Sequence, residues 1–170
     1  MKKSVIVTTA LIILAGGGFM WWSSNATDAP AGAPAHSQAE AYTKSTLAAS
    51  EQIYDFGLIS MKKGNVKYAF KVTNPTDKDI MINDVATSCM CTTAYLVEGI
   101  KKLGPFGMPG MGPSTKTNKI IKAGGIMYVD VVFDPNAHGP AGVGPLEREI
   151  QLTEAGGSIL RLEIKGMVKP

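Results

Sequence analysis

Val66-Lys67-Tyr68-Ala69-Phe70-Lys71-Val72 is the stretch that decides the fold. Val66, Tyr68, Phe70 and Val72 occupy every second position, with Lys67 and Lys71 between them. A period of two sends alternate side chains to opposite faces of an extended chain, so one face is apolar and the other wet. Asn74-Pro75-Thr76-Asp77 then supplies turn chemistry.

The same rhythm continues outward. Ile80 and Ile82 alternate, and the phase slips at Asn83 and Asp84 before Val85, which predicts a bulge. Met127, Val129, Val131 and Phe133 share one face of a further strand, closed by Asp134-Pro135. Arg148, Ile150 and Leu152 alternate with Glu147, Glu149 and Gln151, and Leu160, Leu162 and Ile164 with Arg161, Glu163 and Lys165. Ala155-Gly156-Gly157 between these last two runs reads as a hairpin turn. No helical period and no phosphate-cradling glycine motif interrupts the pattern; Gly124-Gly125 is a turn entering a strand. The expectation is an all-β domain over residues 51–170, an immunoglobulin-like antiparallel β-sandwich of about seven strands.

Composition bounds the function. The chain has 170 residues, enough for one core, with 17 Lys+Arg against 14 Asp+Glu for a net charge of +3. That balance is too mild for a dedicated nucleic-acid binder. Two cysteines cannot frame a disulfide scaffold or complete a four-ligand zinc site, and with only two histidines no catalytic set suggests itself. A non-enzyme is expected.

Ahead of the domain, Lys2 and Lys3 precede an apolar run over residues 5–22 that ends in Trp21-Trp22. Positive charge ahead of such a run directs the C-terminal side of the chain out of the cytoplasm. Residues 1–22 read either as a signal peptide, cut after Ser24-Asn25-Ala26, or as a single-pass helical membrane anchor with the tryptophans at the outer interface. Both place the domain outside the cytoplasm, in the periplasm, anchored to the inner membrane or released across it. Residues 23–50, rich in Ala, Ser, Thr and Pro, have few large apolar groups to bury and read as a flexible linker.

The candidate site is Cys89-Met90-Cys91. On an extended strand the two cysteines project to one side with Cα atoms about 6.6 Å apart, so a disulfide between them requires a sharp bend. Unbridged, two thiolates on one face suit a soft cation such as Cu(I). The long connection over residues 99–125 offers Met108 and Met111 in Phe106-Gly107-Met108-Pro109-Gly110-Met111 as further soft ligands, and His138 stands as a third ligand or an ordinary turn residue. Three roles stay open for the pair: a structural disulfide, a metal site and thiol exchange. The connection also carries Lys101, Lys102, Lys116, Lys119 and Lys122 and no acidic residue, which suits anionic headgroups or an acidic partner as well as a solvated loop. Phe106, set between Pro105 and Gly107, suits an exposed apolar contact.

Tyr54-Asp55-Phe56-Gly57, the strand into Val72-Thr73-Asn74, Thr87-Ser88-Cys89-Met90-Cys91-Thr92, Ile121-Lys122-Ala123-Gly124-Gly125 and the closing residues 162–168 occur in a familiar order. Over residues 53–168 the chain resembles the exported bacterial family known as domain of unknown function 1573, itself similar to the immunoglobulin-like domains of the Hydin and sperm-protein type. Ser-Cys-x-Cys-Thr is its sharpest element. The resemblance implies a seven-stranded immunoglobulin-like fold and an extracytoplasmic setting, and no reaction. Met90 stands where the family commonly has Gly, and the connection after Cys91 is longer than usual.

The functional expectation is an exported, membrane-tethered binding module that contacts another envelope protein through Phe106, Met108, Met111, Lys101 and Lys102. The alternatives are a periplasmic Cu(I)-binding protein using Cys89, Cys91, Met108 and Met111, and a thiol–disulfide exchanger using the same cysteines.

Overall fold

A computed structural model describes residues 43–170. The expectations for residues 1–22 and for residues 23–42 of the linker lie outside the described residues. Among the described residues, no helix is long and apolar enough to cross a membrane.

Ten strands form two sheets: β1 (Ala48–Ala49), β2 (Ile53–Ser60), β3 (Val66–Thr73), β4 (Ile80–Thr87), β5 (Thr92–Glu98), β6 (Lys101–Phe106), β7 (Lys116–Ile121), β8 (Ile126–Phe133), β9 (Gly144–Glu154) and β10 (Ile159–Lys169). One sheet runs β1-β3-β8-β5-β6 and the other β2-β10-β9-β4-β7. Short 3-10 turns at Met61–Lys63 and Gly139–Gly142 complete the regular structure. The period-two residues meet between the sheets. Phe70 and Val129 from one side and Ile82, Ile150 and Leu162 from the other are fully buried, while Lys67 and Lys71 are exposed. The expected bulge appears as a register shift between Ile82 and Asp84 on both flanks of β4. The expected hairpin turn is closed by the Gly157 amide donating to the Glu154 carbonyl at 2.9 Å.

Three expectations are corrected. Among the described residues there are ten strands rather than about seven, and the pairing is mixed, because β10 pairs parallel with β2. These two strands lie far apart in the sequence, so no hairpin fixes their relative direction. Second, residues 99–125 are not one irregular loop: β6 and β7 take up nearly half of them and form the edges of opposite sheets. All of β6 except Phe106 is exposed, so it shows no alternation. Its lysines and proline suit an unpaired edge. Third, the domain starts before Glu51. Leu47 is buried, β1 pairs with the end of β3, and Lys44 bridges to Ile159.

These pairings give the sandwich two distinct ends. The chain enters the described region at the end that carries Thr73, Ile126 and the start of β10. Thr87, Thr92, Phe133 and Val66 mark the other end, about 25 Å away at the usual rise of a strand.

Candidate functional site at the cysteine rim

Cys89-Met90-Cys91 forms the tight connection by which the chain leaves β4 in one sheet and enters β5 in the other. The Thr92 amide donates to the Cys89 carbonyl at 3.1 Å. The Thr87 hydroxyl donates to the carbonyls of Cys89 (3.0 Å) and Thr92 (3.1 Å), pinning both sides of the turn. The Asp134 amide ties the Cys91 carbonyl to the end of β8 at 2.9 Å. This bend brings the cysteine Cα atoms to 5.3 Å, inside the range a disulfide needs, and the two sulfurs are bonded.

The environments of the two sulfurs differ. Cys91 is 3% exposed and belongs to the core, whereas Cys89 is only partly buried beside the exposed Met90. Cys89 Sγ accepts from the Cys91 amide at 3.3 Å and lies 3.3 Å from Nε2 of the exposed His138. Cys91 Sγ accepts from Arg148 Nε at 3.3 Å and lies 3.7 Å from the Thr92 hydroxyl. Arg148 sits on β9 between the buried Leu146 and Ile150, so its stem shares the inward face while its head reaches the rim. Sequence reading assigned Arg148 no role, although a charged residue in phase with Ile150 and Leu152 is the signal that marks it. His138 is brought to the site: its ring and the two sulfurs place ligand atoms within 4.8 Å of one another.

Beside this turn, Met90, Met108, Met111 and Pro113 line a cleft of about 330 Å³, together with Thr92 and two glycines. The Met111 amide donates to the Met108 carbonyl at 3.1 Å across Pro109-Gly110. Gly110 has φ 74°, the left-handed backbone such a turn requires at its third position. Met111 is 52% exposed.

The remaining expected contact residues divide. Phe106 is 5% exposed and part of the core, so it anchors the methionine loop rather than meeting a partner. Lys101 is exposed. Lys102 is exposed too, but its ammonium lies 4.0 Å from the Tyr95 ring centroid and 3.5 Å from Asp130. Lys116 pairs with Asp84 and Lys122 with Asp79, both at 2.7 Å, and Lys119 pairs with Glu98. Asp84 on β4, Asp79 just before it and Glu98 at the end of β5 thus offset the connection's positive charge. The bond from Lys122 holds the Asp79 carboxyl below its ordinary range, and Lys119 does the same for Glu98.

Residues 47–104 match the family described as protein of unknown function DUF1573. The Ser88–Thr92 motif lies inside that stretch. No curated protein matches the chain. Among solved structures, the chain is similar to a protein of unknown function from Porphyromonas gingivalis W83, at 16% identity and a TM-score of 0.53 over 75% of this chain and 48% of that one. It is also similar to a family 123 glycoside hydrolase from Clostridium perfringens, at 8% identity and a TM-score of 0.52 over 73% of this chain and 27% of that one. The chain therefore spans about half of the first protein and about a quarter of the second. At these identities the likeness shows the fold alone.

Proposed function

We propose that the protein is an exported, membrane-tethered module of immunoglobulin-like type that docks an apolar segment of another envelope protein at its cysteine rim. The cleft between Met90, Met108 and Met111 carries this reading: thioethers adapt to varied apolar shapes, and these line an open surface instead of filling the core. Its position supports the reading too, since the rim lies at the end of the sandwich opposite Thr43. A disulfide-bonded pair suits the oxidising side of a membrane.

Deleting the loop is a poor test, because Phe106 is buried. A photo-crosslinker at Met111 in the full chain, in its own membrane, should capture one envelope protein. Met90→Glu should abolish that product, and a crosslinker at Gly156, on the opposite end, should not form it. Equal capture from both ends would refute the docking surface.

A second reading is favoured by His138. Once the pair is reduced, Cys89, Cys91 and His138 form a soft three-ligand set for Cu(I), with methionine sulfur nearby. Anaerobic Cu(I) competition against a chelator tests it, and affinity unchanged in a Cys89→Ser, Cys91→Ser double variant rejects it.

A further inference from the structure

Both sulfurs of the Cys89–Cys91 bond are met by hydrogen-bond donors or potential donors. Arg148 Nε–H and the Thr92 hydroxyl face Cys91 Sγ; the Cys91 amide and the His138 ring face Cys89 Sγ. A disulfide sulfur is a weak, neutral acceptor and gains little from them. A thiolate gains charge-assisted hydrogen bonds from the same groups without rearrangement. The surroundings therefore favour the reduced pair, which makes the bond more oxidising than one buried among apolar groups.

We infer that Cys89–Cys91 is an exchangeable disulfide that oxidises a dithiol, with Cys89 the attacked sulfur and Cys91 the leaving group. Exposure sets this polarity: Cys91 is 3% exposed, whereas partly buried Cys89 sits beside exposed Met90 and His138. An incoming thiolate attacks Cys89 Sγ. The sulfur–sulfur bond breaks, and its electron pair moves to Cys91 Sγ, where Arg148 Nε–H and the Thr92 hydroxyl receive the charge. The second thiolate of the dithiol then attacks its own sulfur in the mixed disulfide, and Cys89 departs as a thiolate beside His138. The dithiol loses two electrons and becomes a disulfide; the cysteine pair gains them. Arg148 is a positioning residue for the leaving sulfur. It takes the place of the helix terminus that often stabilises a thiolate in exchange proteins. This chemistry stands apart from the docking surface, since a small dithiol needs no methionine cleft.

The test equilibrates the oxidised full chain with reduced and oxidised glutathione, quenches with acid and counts alkylated thiols by mass. Arg148→Met should move the equilibrium about tenfold toward the disulfide, and Arg148→Lys should recover part of the shift. With oxidised glutathione, Cys91→Ser should form a mixed disulfide at Cys89 at least about tenfold faster than Cys89→Ser forms one at the buried Cys91. Should Arg148→Met fail to fold, the two single-cysteine variants still decide. An unmoved equilibrium in a folded Arg148→Met protein, or equal rates from the two cysteines, overturns the inference.

Discussion

The two ends of the sandwich use polar groups in opposite ways. At the end where the chain enters, two buried polar side chains, Asn74 and Glu154, are satisfied by the chain itself. Asn74, fully buried, donates to the carbonyls of Lys78, Ile121 and Lys122 and accepts from the amide and hydroxyl of Thr76. Glu154, also buried, accepts from the Ser45 hydroxyl and from the amide and hydroxyl of Thr46, holding the entering chain on the sheet. At the cysteine rim, Arg148 and His138 are directed at sulfur, and thioethers remain in the open. Thr87 completes the fold at the rim as Asn74 does at the opposite end, and what sets the rim apart is the polar groups directed at sulfur.

Substitution should expose this asymmetry. The largest effect is expected from Asn74→Ala, which removes every hydrogen bond of a fully buried amide side chain; a loss of about 3 kcal/mol should appear as a lower urea midpoint. Glu154→Gln should cost about 1–2 kcal/mol and speed hydrogen exchange at the Thr46 and Leu47 amides more than at Val129. At the rim, Met90→Gln and Met111→Gln should each change stability by less than about 0.5 kcal/mol. A rim substitution as costly as Asn74→Ala would erase the distinction.

The smallest effect concerns pH. The carboxyls of Asp79 and Glu98 titrate lower in the folded chain than their ordinary values, so their ion pairs with Lys122 and Lys119 favour folding above the ordinary carboxylate range. That contribution is lost as pH falls through the lowered folded values. Lys122 and Lys165 titrate higher than usual, so theirs is present below the ordinary lysine value and is lost as pH rises through the raised ones. Asp79→Asn should leave a shallower fall in the thermal midpoint below about pH 4, with little change near neutrality.

Legibility in the sequence divides along the same line. Strands with one buried and one wet face are plain in it: β3, β8, β9 and β10 carry the alternation in full, and the phase slip at Asn83 and Asp84 marks the bulge. Edge strands are not, because β6 buries only Phe106 and β7 ends in its one buried residue, Ile121. Phe106 reads as exposed for that reason, its glycine and proline neighbours suggesting an open loop. Leu47 carries no period, being a single apolar plug in a polar segment. Cys89 and Cys91 are legible as a site from spacing alone. Arg148 and His138, 57 and 49 residues distant from the cysteines they meet, depend on how strands cross between sheets. His138 is legible by residue type as a candidate ligand, and the arginine as a charge on an apolar face, but neither meeting with sulfur is.

The most direct measurement compares urea unfolding of the oxidised and reduced full chain, wild type against Arg148→Met. If Arg148 holds its charge for a thiolate at Cys91, the substitution should leave the oxidised protein nearly unchanged. The reduced protein should lose about 1–2 kcal/mol. Equal losses in both states would contradict this, since the arginine would then serve the fold and the rim would be no different from the opposite end.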